Sequence, residues 1–226
     1  PVSGDTTDTC LAHNPTAWDG PGSIGRFGEL DTTSNVTVDF GFIPPMSIGN
    51  RVWIDDGNDG AGGVVLGEYN DGVMSATESA NNGVANVDVQ LYKDGTLLYT
   101  VQTDANGYYL FDRVQPDANY VVKIDEANFV SGGALYRYVS SFDNGATLTD
   151  DDVDIHDDGI DDAAPATNGI LSPEFEMAYG TEPDNESDLI LPADRENPTN
   201  VGDYGQTETN SNLTLDFGFV RPRSLG

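Results

Sequence analysis

Apolar and polar residues alternate along Val36-Thr37-Val38-Asp39-Phe40 and again along Leu213-Thr214-Leu215-Asp216-Phe217. That is the two-residue period of a half-buried strand. The two stretches are copies: residues 34–42 return 177 positions later as 211–219, and both mismatches are Val-for-Leu exchanges. Each copy runs on to a proline and then to Ser-Ile-Gly or Ser-Leu-Gly. An ungapped match of this length is a repeat rather than an accident of composition. It frames the chain as the C-terminal end of one unit, residues 1–47, followed by a complete unit, 48–226.

Inside the complete unit the pattern predicts short strands. Asn50-Arg51-Val52-Trp53-Ile54 is the first, with Trp53 turned to the core, and an acidic, glycine-rich loop follows over 55–82. Asn86 to Tyr92 alternates cleanly, Lys93-Asp94-Gly95 is a tight-turn signal, and 97–102 is the partner strand. In the next turn Asn106-Gly107 supplies the positive-φ positions. Strands follow at 108–111 and at 119–124, the latter with Tyr120, Val122 and Ile124 on one face. A long acidic loop over 125–168, a strand at 172–178 and a polar stretch lead to the second repeated strand. This order reads as an all-β antiparallel sandwich.

Composition agrees, with 26 Gly, 12 Pro, 10 Tyr and 9 Phe among 226 residues. Charge then changes the picture. Against 39 acidic residues stand 9 basic ones, a formal net charge of −30, which repels phosphate backbones and disfavours nucleic-acid binding. No apolar run approaches the length of a membrane span, and no leader is visible, so any export signal is expected outside these residues. The single cysteine, Cys10, leaves a link to a neighbouring chain or a spare buried thiol as alternatives. Structureless loops as long as 55–82 and 125–168 need something to order them. Their carboxylates would repel one another unaided, so bound cations are the economical answer.

The series Ile48-Gly49-Asn50-Arg51-Val52-Trp53-Ile54-Asp55, Gly83-Val84-Ala85-Asn86-Val87-Asp88-Val89-Gln90-Leu91-Tyr92, Thr103-Asp104-Ala105-Asn106-Gly107-Tyr108-Tyr109-Leu110-Phe111 and Asp216-Phe217-Gly218-Phe219 resembles the B-type repeat of the serine-aspartate repeat surface proteins. Those repeats are related to the collagen-adhesin B-type domains. The resemblance implies an immunoglobulin-like (prealbumin-like) antiparallel β-sandwich with long acidic calcium-binding loops, arranged in tandem in a stalk or adhesin outside the cell. It also implies a twelve-residue, EF-hand-like loop after Trp53. Counting twelve from Asp55 lands on Leu66, whereas Asp71-Gly72 and Glu78 hold the spacing of the fifth, sixth and twelfth positions. An insertion between Asp56 and Asn70 explains the difference. Related domains carry an internal lysine crosslink from the first strand; Arg51 stands there, and Lys93 and Lys123 are the chain's lysines, so no such crosslink is expected.

Calcium takes six to eight oxygens, which alternating acids with Gly and Asn present on one side of a turn. Candidate ligands of a first site are Asp55, Asp56, Asn70, Asp71 and Glu78. A second is expected among Asp152, Asp154, Asp157, Asp158 and Asp161. Asp104 is a further candidate, although an Asx residue also closes its own turn; Glu182 and Asp184 stand similarly. His13 and His156 sit in no zinc pattern, no nucleophile elbow occurs, and no catalytic residue is assigned. Sequons at Asn35, Asn185 and Asn212 admit glycosylation where a pathway exists, and two of them open the repeated strand, as turn chemistry also would. The sequence therefore points to a structural, calcium-rigidified repeat of an extracellular surface or filament-forming protein, with Ca2+ as cofactor. Its alternative is an adhesin module binding a protein or glycan through its loops. Partners are expected to be neighbouring repeats or identical subunits, including donation of the strand from Val36 to Phe42 in trans.

Overall fold

The computed structural model describes residues 45–58, 61–142, 156–183 and 208–222. The chain divides into two units, Pro1–Ile43 and Pro44–Gly226, and the described residues belong to the second. The readings made of Cys10, His13, Asn35 and the first repeated strand fall outside them, as do those of Asp152, Asp154, Asp184 and Asn185.

Two five-stranded sheets face each other. The first strand, β1 (Met46–Ile54), begins four residues before the predicted Asn50 and is central. Its first half pairs antiparallel with β6 (Tyr108–Val114), placing Ile48 opposite Phe111 and Arg51 opposite Tyr108. Its other side pairs parallel with β11 (Ser211–Asn212) and then with β12 (Phe217–Val220), which also pairs with β8 (Val139–Ser140). The second sheet runs β10 (Phe175–Met177), β7 (Ala118–Ile124), β4 (Asp88–Lys93) and β5 (Thr96–Gln102), with β9 (Ile170–Leu171) also on β7. The predicted β4–β5 hairpin is present, with Asp94 and Gly95 both at positive φ. In the following turn Gly107 has positive φ, whereas Asn106 is not among the positive-φ residues. The antiparallel expectation thus holds for most pairs but fails where the first strand meets the last, which run parallel.

Alternation supplies the core. From β1, Met46, Ile48 and Val52 meet Tyr109 and Phe111 of β6 and Phe217 and Phe219 of β12, and across the gap Val89, Leu91, Tyr120, Val122 and Ile124 face them. Phe129 and Phe219 meet edge to face with centroids 5.5 Å apart. The Tyr109 hydroxyl, deep in the core, donates to the Leu215 carbonyl at 2.8 Å. Each large side chain buried here contributes about 2 kcal/mol.

The other face of the first sheet is covered as well. Every residue from Met46 through Trp53, and from Ser211 through Val220, is buried. Trp53 is fully buried yet absent from the sandwich core. It occupies the opposite face, beside Gly218, where an added Cβ would lie 2.8 Å from its Cζ2. The expectation that Trp53 faces the core is therefore corrected, because β1 is buried on both sides and alternation cannot say which side is the sandwich.

The covering layer comes from the segments read as loops. The stretch expected as an insertion folds as a ribbon of β2 (Asp56–Asn58) and β3 (Val64–Tyr69), and the helix α1 (Ala76–Asn81) follows. A second short helix, α2 (Pro165–Asn168), interrupts the later acidic loop. Residues 82–84 run along the second half of β1: the Ile54 N–H donates to the Asn82 carbonyl and the Val84 N–H to the Val52 carbonyl, both at 2.9 Å. Gly83 is required there, since a Cβ would fall 1.8 Å from the Asn106 oxygen. Among the described residues no helix is long and apolar enough to cross a membrane.

Candidate functional site: a buried acidic layer

Two acidic segments far apart in sequence meet over the outer face of the first sheet. Asp55, immediately after β1, is fully buried. Its carboxylate accepts from the Asn70 N–H at 2.7 Å, the Gly72 N–H at 2.9 Å and the Ser141 hydroxyl. The ribbon thus leaves Asp55 and returns to it, which brings Asp55, Asp56, Asn70 and Asp71 to one place. Asp56 accepts from the Asn58 N–H and the Asn82 amide at 3.1 and 2.8 Å. Asp71 accepts from the Val73 N–H at 3.1 Å, and the Asn70 side-chain oxygen from the Phe142 N–H at 3.0 Å.

Glu78 closes the group. Ser75 and Glu78 form a capping box at the start of α1, with the Glu78 carboxylate accepting from the Ser75 N–H at 3.0 Å. Its other oxygen reaches across to the Gly57 N–H at 2.8 Å, tying the helix to the ribbon.

The second segment lies against β8 and β12. Asp157, 2% exposed, accepts from the Gly159 and Gly218 N–H groups at 2.9 and 3.0 Å and from the Ser140 hydroxyl at 3.3 Å. Asp158 and Asp216 hold each other reciprocally. The Asp158 N–H donates to the Asp216 carbonyl, and the Asp216 N–H donates to the Asp158 carboxylate, both at 2.9 Å. Asn50 donates to the Asp216 carboxylate at 3.2 Å. The two groups are wired together through Gly72, whose N–H serves Asp55 while its carbonyl takes the Asp157 N–H at 3.0 Å.

Burial governs the charge state of these groups. It pushes Glu78 up to about 7 from an ordinary 4.5, against the Ser75 and Gly57 N–H groups and with help from the nearby Asp55 charge. Asp55 is raised by burial against its three donors, with Asp71 adding to the rise. Asp157 is raised well above its ordinary value, chiefly by burial. Even the Tyr109 hydroxyl is raised, first by burial and then by Asp216 and Asp158. Neither of the ion pairs Arg113–Asp112 and Lys123–Glu126 involves Asp55, Glu78 or Asp157.

The remaining candidates fall elsewhere. Asp104 spends one oxygen on the Asn106 and Tyr108 N–H groups of its own turn, at 2.8 and 3.0 Å. Asp161 is exposed. His156 is half-buried and bridges Val73 through its backbone. Glu182 is buried and accepts from the Ala178 N–H at 2.7 Å. Asn212 is fully buried, with its side-chain oxygen taking the Thr214 N–H and hydroxyl at 3.2 and 3.0 Å. The folded sandwich has no room for a glycan there, so the sequon at Asn212 is corrected to turn chemistry. Among the described residues no three Asp, Glu, His or Cys side chains are grouped to hold a metal ion by themselves.

Sequence reasoning missed Ser140, Ser141 and Asp216 as members of this layer. The signal for Asp216 was present: the same acid stands at Asp39 in the first copy, on a strand otherwise built from apolar and small residues. The capping box Ser75-x-x-Glu78 was equally legible.

No protein-family model matches the chain. Serine-aspartate repeat-containing protein D of Staphylococcus aureus (strain Newman) is 25% identical over 192 residues, covering 84% of this chain and 11% of that protein. Serine-aspartate repeat-containing protein I of Staphylococcus saprophyticus is 32% identical over 102 residues, 44% of this chain and 4% of that protein. Colossin-A of Dictyostelium discoideum is 35% identical over 95 residues, 42% of this chain and 1% of that protein. The resemblance to the B-type repeat thus extends over most of the chain, which spans about a tenth or less of the length of these curated relatives.

Proposed function

We propose that the chain is a structural repeat module of an extracellular surface or filament-forming protein, stiffened by calcium bound in its acidic layer. The observation that carries the reading is the convergence of desolvated carboxylates, Asp55, Glu78 and Asp157, from two separate loops onto one sheet face. Buried anions of like sign must either take up protons or gain a cation. At neutral pH in a calcium-containing medium the cation is the better partner.

The residues fit that role in donor chemistry. An ionised carboxylate has about four acceptor sites, and the hydrogen bonds described above occupy three on Asp55, two on Glu78 and three on Asp157. Calcium completes its shell with backbone carbonyls, amide oxygens and water. Asp56, Asn70 and Asp71 flank the first group; Asp152 and Asp154 precede the second in sequence. Bound calcium supplies positive charge, while the chain's own residues set the loop geometry through the capping box and the Gly72 link.

Similarity to the serine-aspartate repeat proteins supports the extracellular, cell-surface location and the repeat character. Neighbouring repeats or identical subunits are the partners proposed here, with the strand from Val36 to Phe42 donated to complete a neighbour's sandwich. No reaction is assigned to the module. With a dissociation constant in the extracellular range, each calcium adds only about 0.4 to 1.4 kcal/mol, so several act together. The test is thermal denaturation of the full chain with calcium and with EDTA at neutral pH. A marked fall in melting temperature in EDTA is expected, and an unchanged curve overturns the reading.

A further inference from the structure

The outer face of the second sheet carries a groove whose chemistry differs from that of the acidic layer. Leu91 and Val122 face the core, so their neighbours Tyr92 on β4 and Val121 and Lys123 on β7 face outward, with Tyr92 paired to Val121. Together with Leu171 of β9 they line a groove of about 250 Å3. Two exposed carboxylates stand among its other lining residues, Asp94 from the β4–β5 turn and Glu174 just before β10.

Three observations narrow what fits. The lysine does not make this an anion site, because Lys123 Nζ lies 2.6 Å from the Glu126 carboxylate. Calcium takes six to eight oxygens, whereas the floor of Tyr92, Val121 and Leu171 is largely apolar and the Tyr92 hydroxyl is engaged with the Gln90 side chain at 2.9 Å. The acids of the other loops sit on Gly- and Asn-rich backbone, whereas here carboxylates and an apolar, aromatic floor line one groove. That combination suits an organic cation, with an alkyl stem for the floor, a charged head for the carboxylates and an aromatic ring beside it.

We propose that this groove receives the arginine or lysine side chain of an extended basic peptide from a partner protein. The field of a chain with net charge −30 draws such a segment in, and the groove gives one side chain a defined seat. The glutamate is held in place by the Asn119 amide, which donates to it at 3.3 Å. The inference deepens the adhesin alternative and rests on the surface-module reading only for the extracellular nature of the partner. Its test reads the groove while calcium binding is read by melting, so either can fail alone.

The full chain, isotope-labelled and in excess calcium so that the acidic layer is saturated, is titrated with acetyl-arginine methylamide. Acetyl-citrulline methylamide and methyl glucoside are titrated in parallel. Amide shifts confined to Gly95, Asn119, Asn168 and Leu171 are expected with the arginine probe and not with the citrulline or sugar probes. Glu174→Gln and Asp94→Asn are each expected to weaken binding roughly two- to five-fold, and Tyr92→Leu by a similar factor through loss of the ring. The two carboxylate changes are at exposed positions, which keeps the test valid if Tyr92→Leu disturbs the sheet. Shifts scattered over the acidic loops, groove shifts with methyl glucoside instead of the arginine probe, or unaltered binding by the carboxylate variants would each overturn the proposal.

Discussion

Without calcium, the module is expected to lose stability as the pH rises towards neutrality, and Glu78 allows the size of the loss to be worked out. The group is fully buried, and its folded value of about 7 stands above an ordinary 4.5. The folded state therefore holds the proton more tightly than the unfolded chain. The associated stability is fully present below the unfolded value and is lost as pH rises through the folded one. For these two values the loss is about 1 kcal/mol by pH 5 and about 3 kcal/mol by pH 7, hence about 2 kcal/mol across the interval. For a domain of this size that is roughly 4–8 °C in melting temperature. Asp55 and Asp157 are shifted in the same direction and steepen the slope.

The measurement is a set of thermal melts in EDTA at pH 5, 6 and 7 for the wild-type chain and for Glu78→Gln. General relief of self-repulsion on acidification acts on both proteins, because 39 acids titrate throughout the chain. The difference between the two slopes isolates the glutamate. Wild type is expected to fall by about 2 kcal/mol more than the variant between pH 5 and pH 7. If calcium binds as proposed, its addition is expected to reverse the sign, since a cation favours the ionised carboxylate. Equal slopes for wild type and variant in EDTA would show that Glu78 is solvated rather than buried, and the case for a desolvated layer would fail with it.

Three further outcomes follow from the same contacts. Gly218→Ala places a methyl 2.8 Å from Trp53 Cζ2 and is expected to destabilise by about 1–3 kcal/mol, read by urea denaturation together with a red shift of tryptophan emission. Ser75→Ala removes the helix cap that accepts the Glu78 N–H at 3.3 Å. About 1 kcal/mol should be lost, and amide exchange should rise in α1 ahead of the sandwich strands. Deleting residues 1–43, which stops short of β1 at Met46, is expected to abolish assembly while the second unit stays folded; continued polymerisation of that truncation, seen by light scattering, counts against strand donation.

Much of the sandwich was legible because alternation is informative wherever one face of a strand is wet. The β4–β5 hairpin and the inward face of β7 follow directly from Val89, Leu91, Tyr120, Val122 and Ile124. Alternation fails for β1 and for residues 211–220, which are buried on both sides, and that failure put Trp53 on the wrong face. The acidic loops were legible as chemistry but not as shape. Their carboxylates order them through backbone N–H groups, as Asp55 does with Asn70 and Gly72, and such bonds leave no period in the sequence. Nothing local in either segment announces that Gly72 will join Asp55 to Asp157.

The repeated stretch nevertheless contained half of that wiring. Its two mismatches, Val36 for Leu213 and Val38 for Leu215, fall at apolar positions, where packing accepts a change of one methylene at modest cost. The positions that alternate with the apolar ones are identical in both copies: Thr37 and Thr214, Asp39 and Asp216, Gly41 and Gly218. Two of these carry the contacts that seat the acidic layer. The Asp216 carbonyl takes the Asp158 N–H and its own N–H donates to the Asp158 carboxylate, while the Gly218 carbonyl takes the Ser141 N–H at 2.9 Å and its own N–H serves Asp157. A volume can be matched by several residues, but a backbone approach beneath a tryptophan admits only glycine. The strand is thus a two-sided part, tolerant where it fills the core and exact in residue where it meets the loops. A sandwich closed by the first copy would carry the same requirement for an acidic loop laid across its outer face.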